Sequence, residues 1–497
     1  MKELKIGMLL SYLLILITNV SGLFSTSLIV KNIGIDIYGV YVFALSIISI
    51  ISLLDAGISS SVTRFISGYR AKKEYKSEIL FIAEIFKITS IICLFVVISG
   101  YLIYIYFDSP YFSNYSLTNL EILKKIWPIL TISLVFSILG NIFSGYCFGL
   151  QKFVYVKSIL ICKVLFKLIL IYFVFLKKPD LYTLVYIDLL INLFFLILVF
   201  FYSLLNLKLK IKFIFSQDSS LIRKDIYKYS SGLFIFLIST NIQWQLGQIL
   251  CAIYLSSSSS AVYGIGVMLG TFYGAFASAI SGVFLAKTTQ SMVLKQENKI
   301  DIHCAKVGSI ILLILSPVLI GFYIYGELFI KIWAGESYIE SWYIAILIMI
   351  FYTPSLILAI ASQKAEAMGL FRFRSYSNLF TALLGLSLSF ILVDFFNIFG
   401  VLLGMLIGLM LNSIILIWFY IRKVNMNFNI LKNKILKVIK ISSICFLINY
   451  PIGQYLMQEY TSWFALCSGI FVYVSIYTII VYFHIFRKDK DFFEIVK

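Results

Sequence analysis

A chain of 497 residues that is 61% hydrophobic and only 13% charged cannot be solvated as a globular protein, which excludes the soluble classes. Its formal charge of +18 would point to nucleic acid in a soluble fold. Here the basic residues fall mainly in alternate loops, the pattern left by cytoplasmic retention of Lys and Arg, so no nucleic-acid partner is expected.

The chain reads as an all-α polytopic membrane protein with about fourteen apolar stretches long enough to cross a bilayer. They are predicted at residues 7–30, 37–64, 79–106, 126–149, 153–176, 181–206, 228–255, 261–287, 304–330, 338–364, 372–394, 397–421, 436–457 and 462–486. The first follows a short basic start but is too long for a signal-peptide core and lacks a convincing small-residue cleavage site, so it is expected to stay as a span. About 32 of the 41 Lys and Arg residues lie on one side of this arrangement, about six on the other and three inside spans. The rich segments are Arg64 to Lys76, Lys208 to Lys228, Lys287 to Lys306, Arg422 to Lys440 and the tail from Arg487. That side is the cytoplasm, and an even number of spans puts both termini there.

Tyr38-Gly39-Val40-Tyr41, opening the second span, is echoed by Tyr263-Gly264-Ile265-Gly266, opening the eighth. Six spans separate the copies, so the two halves would share one orientation about an axis along the membrane normal. The expected organisation is an N-terminal six-helix lobe (1–207), a cytoplasmic linker (208–227), a C-terminal six-helix lobe (228–422), and two further helices with a basic tail (423–497). The two lobes would face one cavity. Pro128, Pro317, Pro354 and Pro451 fall inside or at the edge of spans, where a missing donor and a ring clash predict kinks.

No connection exceeds roughly 20 residues, so there is no soluble domain to host chemistry and function must lie among the helices. A cation inside a span costs a few kcal/mol or more, which directs attention to Lys163 and Lys167, four apart on one face of the fifth span near mid-membrane. Either they line a wet cavity, or Lys163 snorkels to the headgroups while Lys167 pairs with an acid. Asp188 enters the sixth span at a matching depth, with Asn192 one turn further on the same face. A Lys167–Asp188 pair would be either a structural clasp or part of a transport cycle. Near the cytoplasmic mouth Asp55, Glu84 and Lys87 are placed to neutralise one another, and Arg64 closes the second span after a polar approach. Asn241, Gln245 and Gln248 form one face of the seventh span, suited either to lining a passage or to interhelical hydrogen bonds. Lys364, Arg372 and Arg374 stand toward the inner face of the second lobe. Asp55, Glu84 and Asp188 are the candidates for proton or sodium coupling.

All cysteines except Cys304 fall within spans, and no CxxC or metal-ligand spacing occurs, so they read as packing residues. His303 and His484 are the sole histidines, which leaves no basis for histidine-based metal or nucleophile chemistry. No cofactor and no metal is expected, and the chain does not read as an enzyme.

The stretch Tyr38 to Gly68, YGVYVFALSIISIISLLDAGISSSVTRFISG, resembles the signature region of bacterial polysaccharide-biosynthesis flippases, lipid-linked oligosaccharide translocases of the multidrug, oligosaccharidyl-lipid and polysaccharide exporter superfamily. Its telling pieces are Tyr38-Gly39, then Leu54-Asp55-Ala56-Gly57, then Arg64. The resemblance implies a V-shaped, two-lobed, alternating-access flippase in the bacterial inner membrane. Its substrate would be undecaprenyl-pyrophosphate-linked oligosaccharide, for O-antigen or capsule synthesis. Its partners would be that substrate, membrane lipids, and the polymerase and assembly proteins of the pathway. It also implies that cations of the first lobe bind the pyrophosphate, Arg64 matching an arginine that related flippases place near the inner end of helix two. The first span departs from the lipid II flippase pattern, carrying Asn19 and serines where arginines are found there. Two other readings remain: a multidrug or other amphiphile exporter of the same fold, for which acids rather than lysines would suit cationic cargo, and a membrane-embedded polymerase, for which the outer loops offer only scattered acids.

Overall fold

The structure, a computed structural model, describes residues 2–55, 57–109, 115–177, 179–209, 219–293, 297–459 and 462–486. Among these residues there are helices and connections but no strand. The helices are α1 Lys2–Ile33, α2 Ile35–Ile51, α3 Ile58–Lys72, α4 Tyr75–Tyr106, α5 Leu117–Gly149, α6 Phe153–Lys177, α7 Leu181–Leu205, α8 Ser219–Leu250, α9 Ser257–Val293, α10 Glu297–Trp333, α11 Glu340–Ile357, α12 Ala359–Ala367, α13 Phe371–Arg422, α14 Asn429–Glu459 and α15 Trp463–Val481. A 3₁₀ segment, Ser52–Asp55, follows α2, and π-helical turns, Cys251–Leu255 and Tyr482–Phe486, extend α8 and α15.

Which solvent these helices are built for is written on α7. Tyr186, Leu190, Phe194, Ile197, Phe201 and Leu205 are exposed along one stripe at helical spacing, while Leu184, Ile187, Ile191, Phe195 and Val199 are buried on the other. An apolar stripe of that length is untenable in water and natural in hydrocarbon. Twelve stretches of the described residues have the length and composition to cross a membrane. One of them, α13, covers two predicted spans, and α8 occupies the place of the predicted seventh, so the sequence pattern of about fourteen and the observed helices agree.

In three places the helices differ in detail from the predicted spans. As one straight rod the 52 residues of α13 would be about 78 Å long, far beyond a hydrocarbon core of about 30 Å. A break at Asn397 (φ 51°, ψ −130°) folds it into a hairpin, closed where Ser389 Oγ donates to Val401 O at 2.8 Å. The predicted 338–364 span is split at Leu358, four residues after Pro354, into α11 and α12. The predicted 37–64 span is also interrupted: α2 gives way to the 3₁₀ segment, and α3 starts afresh after Gly57, whose φ of 87° favours a residue without a Cβ. Arg64 therefore does not close a helix but sits midway along α3.

By internal contacts the chain separates into two units, Met1–Ala261 and Val262–Lys497. In the first, α3, α4, α5 and α7 enclose a core that includes Val62, Ile66, Phe81, Ile85, Phe143 and Val199. Here α8 packs on α2, and Gly39 of the Tyr-Gly pair lets α2 lie against the backbone carbonyl of Ser257 at the start of α9. In the second unit, α14 and α15 pack on α10 around Tyr325, Leu328, Leu466 and Tyr473.

Gly39→Ala places a methyl group against the Ser257 carbonyl and is expected to destabilise the protein by about 1–3 kcal/mol, the usual range for overpacking. Gly68→Ala, which meets nothing within 4 Å, is expected to leave the melting temperature in detergent unchanged or slightly raised. Equal melting behaviour of the two variants contradicts the close approach.

Candidate functional site

Side chains of α2, α5, α6 and α7 meet in a polar group, with charge on α6 and α7, in an otherwise apolar part of the first unit. Because α6 and α7 run antiparallel side by side, residues one turn apart on each form two rungs. In the first rung, Lys167 Nζ lies 2.5 Å from Asp188 Oδ1, and Tyr41 OH of α2 donates to Asp188 Oδ2 at 3.2 Å, so both carboxylate oxygens are engaged. In the second, Lys163 Nζ donates to Asn192 Oδ1 at 2.7 Å, and Asn192 Nδ2 donates to Ser133 Oγ of α5 at 2.8 Å. The Lys163 ammonium also stands 4.7 Å from the centroid of the Phe195 ring, a cation–π distance.

The two rungs are electrostatically unequal. Lys167 has a carboxylate partner, whereas Lys163 is solvated by an amide and a ring face, with no carboxylate within 4 Å among the described residues. The group of Lys163, Lys167 and Asp188 thus carries one net positive charge. A neutral amide and a π-face compensate a desolvated ammonium less well than an anion does, so the arrangement favours an anionic ligand beside Lys163.

The other sequence candidates in this unit are distributed around this group rather than gathered into it. Glu84 and Lys87 pair with each other on α4 at 2.8 Å. Asp55, expected to share in their neutralisation, instead accepts a hydrogen bond from Asn141 Nδ2 of α5 at 2.9 Å, and its Oδ1 is shielded from solvent with no hydrogen-bond partner among the described residues. Arg64 is exposed on α3. Of the polar face of α8, Asn241 accepts from Ser49 Oγ at 2.8 Å and Gln248 accepts from Ser46 Oγ, both on α2, so these two residues join helices. Gln245 lies half-buried between them.

In the second unit Arg372 is exposed and Arg374 half-buried at the start of α13. Lys364 of α12 is almost wholly buried, its Nζ 3.5 Å from Asp301 Oδ1, while Asp301 Oδ2 accepts from the backbone N–H of Asn427 at 3.1 Å. A cavity of about 490 Å³ between α9, α10, α11 and α14 is lined by apolar side chains such as Leu312, Ile320, Phe446 and Leu447 and by hydroxyls including Tyr273 and Ser316.

Sequence reasoning missed Ser133 and Asn141 on α5, Asp301, and the inner-end network in which Arg70 Nε lies 2.7 Å from Glu78 Oε2 and Tyr146 OH donates to Glu78 Oε1 at 3.2 Å. The signal for Asn141 was present: it is the lone amide of an apolar run, and a buried amide needs a partner. Ser133 gave none, since serine in a membrane helix is satisfied by its own backbone.

A family pattern described as "Polysaccharide biosynthesis protein" matches residues 6–286, more than half of the chain and all of the helices that build this group. The chain belongs to the polysaccharide biosynthesis protein family. Among solved structures, this family member matches the lipid II flippase MurJ in its inward closed conformation with a TM-score of 0.77 at 16% identity, over 97% of this chain and 99% of that one. It matches an inward-facing multidrug resistance MATE family transporter of the MOP superfamily with a TM-score of 0.64 at 13% identity, over 82% and 94% of the two chains. A MOP superfamily transporter from Pyrococcus furiosus, reported with a binding pocket of reversed polarity, follows at a TM-score of 0.55 and 12% identity, over 84% and 95%. No curated protein sequence matches. The fold is that of MOP-type flippases and transporters, in a polytopic membrane protein.

If the first rung is an ion pair rather than two independent side chains, Lys167→Ala and Asp188→Ala are non-additive. A double-mutant cycle on thermal unfolding in detergent is expected to give a coupling of about 0.5–3 kcal/mol. Zero coupling contradicts the pair.

Proposed function

We propose that the protein is a flippase moving an undecaprenyl-pyrophosphate-linked oligosaccharide from the cytoplasmic to the outer leaflet of a bacterial inner membrane, by alternating access, for O-antigen or capsule synthesis. The observation that carries this reading is the Lys163 ammonium, held inside an apolar helical unit by neutral partners, one turn from a lysine whose partner is a carboxylate. A pyrophosphate diester bears two negative charges. It would satisfy Lys163 directly and draw Lys167 from Asp188, which keeps the Tyr41 hydroxyl as donor. The same two ammonium groups thus have one arrangement without substrate and another with it, as a transport cycle requires.

Under this reading the remaining cations attract and guide the headgroup. Arg64, Lys87, Arg372 and Arg374 stand on segments that the distribution of Lys and Arg assigns to the cytoplasmic side, where both termini would also lie. Asn241, Gln245 and Gln248 provide amides to the sugars or to α2. The apolar cavity of the second unit has the chemistry to accept a prenyl segment. Membrane lipids, the polymerase and other assembly proteins are the partners this role entails. No step of it needs bond making or breaking by the protein, so the chain is read as a carrier and not an enzyme.

The likeness to a multidrug MATE transporter supports a second reading, export of another amphiphile. A cationic cargo would be repelled by Lys163, which is why the anionic lipid is preferred.

Cells carrying Lys163→Met are expected to lose surface polysaccharide at least tenfold at unchanged protein level, and Lys163→Arg to retain much of it. Glycan display at wild-type level with Lys163→Met contradicts the proposal.

A further inference from the structure

The sequence offers three intramembrane acids for coupling to an ion gradient, and the structure separates them. Glu84 is paired with Lys87, and Asp188 is held by Lys167 and Tyr41. Asp55 alone has no cation beside it among the described residues: Asn141 donates to Oδ2, and Oδ1 is shielded from solvent and unpartnered. An ionised carboxylate in that position would leave a negative charge in apolar surroundings with a single amide donor, whereas a neutral carboxyl needs little more than Asn141 supplies.

Among the described residues nothing else balances a charge there. The 3₁₀ segment bearing Asp55 packs against α2, α4, α5 and α8. From α4 the titratable group nearby is the half-buried Cys93 thiol. Glu84 and Lys87, on the same helix, are bonded to each other. From α5 the facing group is Asn141, and Tyr146 further along is engaged with Glu78. From α2, Tyr41 is engaged with Asp188. The described side chains of α8, from residue 234 to Leu250, include amides and hydroxyls but no ionisable group.

Asp55 also sits where the backbone changes direction. It ends the 3₁₀ segment, and α3 begins three residues later at Ile58 with Gly57 as an N-cap that offers no side-chain acceptor. The leading N–H groups of α3 therefore lack a side-chain cap, and an anionic Asp55 that turned toward them would gain charge-assisted hydrogen bonds and the favourable end of the helix dipole. The break supplies a dry place for the neutral acid and, at the start of α3, uncapped N–H groups for the anion.

We propose that Asp55 is a proton-binding site: it carries a proton in the conformation described here and gives that proton up to water in the course of the transport cycle, its carboxylate then free to cap α3. This supplies the energy coupling of the transport reading above and rests on it only for the purpose of the proton, not for its place. One proton is taken from water and one returned, with no other bond changed.

The test is infrared spectroscopy of the purified full-length protein in lipid, which reads the C=O stretch of protonated carboxyl groups. At neutral pH the wild type is expected to show such a band that Asp55→Asn removes. Should Asp55→Asn fail to fold, Asn141→Ala serves instead and is expected to shift the band to higher wavenumber, because the carbonyl loses its donor. A wild-type spectrum without a protonated carboxyl at neutral pH, or a band that Asp55→Asn or Asn141→Ala leaves unmoved, overturns the proposal. No substrate enters this experiment, so its outcome is independent of whether Lys163 binds a diphosphate.

Discussion

A charge held in hydrocarbon must be matched by an opposite charge, by a ligand, or by loss of its proton, and the placement of ionisable groups in this protein follows from that constraint. On the reading proposed above, the first unit meets it in all three ways. Lys167 and Asp188 match each other, with Tyr41 completing the carboxylate. Lys163, left with an amide and a ring, is the group arranged to receive a ligand. Asp55, left with one amide, is the group arranged to be neutral. Buried ion pairs add little net stability, because desolvation offsets their attraction, so in the proposed cycle Lys167 can exchange Asp188 for a substrate anion at little cost.

Helix breaks give these charges their setting. Gly57, Leu358 and Asn397 mark the positions where a predicted continuous span, or a single over-long helix, changes direction. Each leaves backbone groups outside the regular hydrogen-bond ladder. Such irregular backbone is tolerated in a bilayer only where protein or water covers it. At the first, α4, α5 and α8 pack on the 3₁₀ segment and Asn141 reaches its carboxylate. The Leu54-Asp55-Ala56-Gly57 sequence thus does a definite mechanical job: the aspartate is the polar group at the break, and the glycine permits the left-handed turn that makes the break possible.

How much of this was legible in the sequence depended on the range of the interaction. The spans were legible because each is a long apolar run, and the Lys163–Lys167 and Asp188–Asn192 faces because residues four apart share a helix face. The meeting of those two faces was foreseeable from their matching depths. Asp55 was grouped with Glu84 and Lys87 as mutually neutralising charges, whereas the fold pairs Lys87 with Glu84 and gives Asp55 an amide 86 residues away. The same holds for Asn241 and Gln248: their spacing marks a polar stripe on one face, but its partners, Ser49 and Ser46, lie about two hundred residues earlier. The hairpin inside α13 was anticipated as two spans, but the interruption of the second span was not, because Gly57 inside an apolar run costs only about 1 kcal/mol in a helix and by itself predicts nothing.

The central claim is that the first unit binds a lipid diphosphate through Lys163. It is tested most directly by equilibrium binding of a prenyl diphosphate to the purified protein in nanodiscs, in parallel with the uncharged prenyl alcohol and a cationic amphiphile of equal chain length. The account predicts that the diphosphate binds at least tenfold more tightly than the alcohol, that the cation binds most weakly, and that Lys163→Met abolishes the difference between diphosphate and alcohol. Equal binding of diphosphate and alcohol by the wild-type protein, or a preference for the cation, would contradict it.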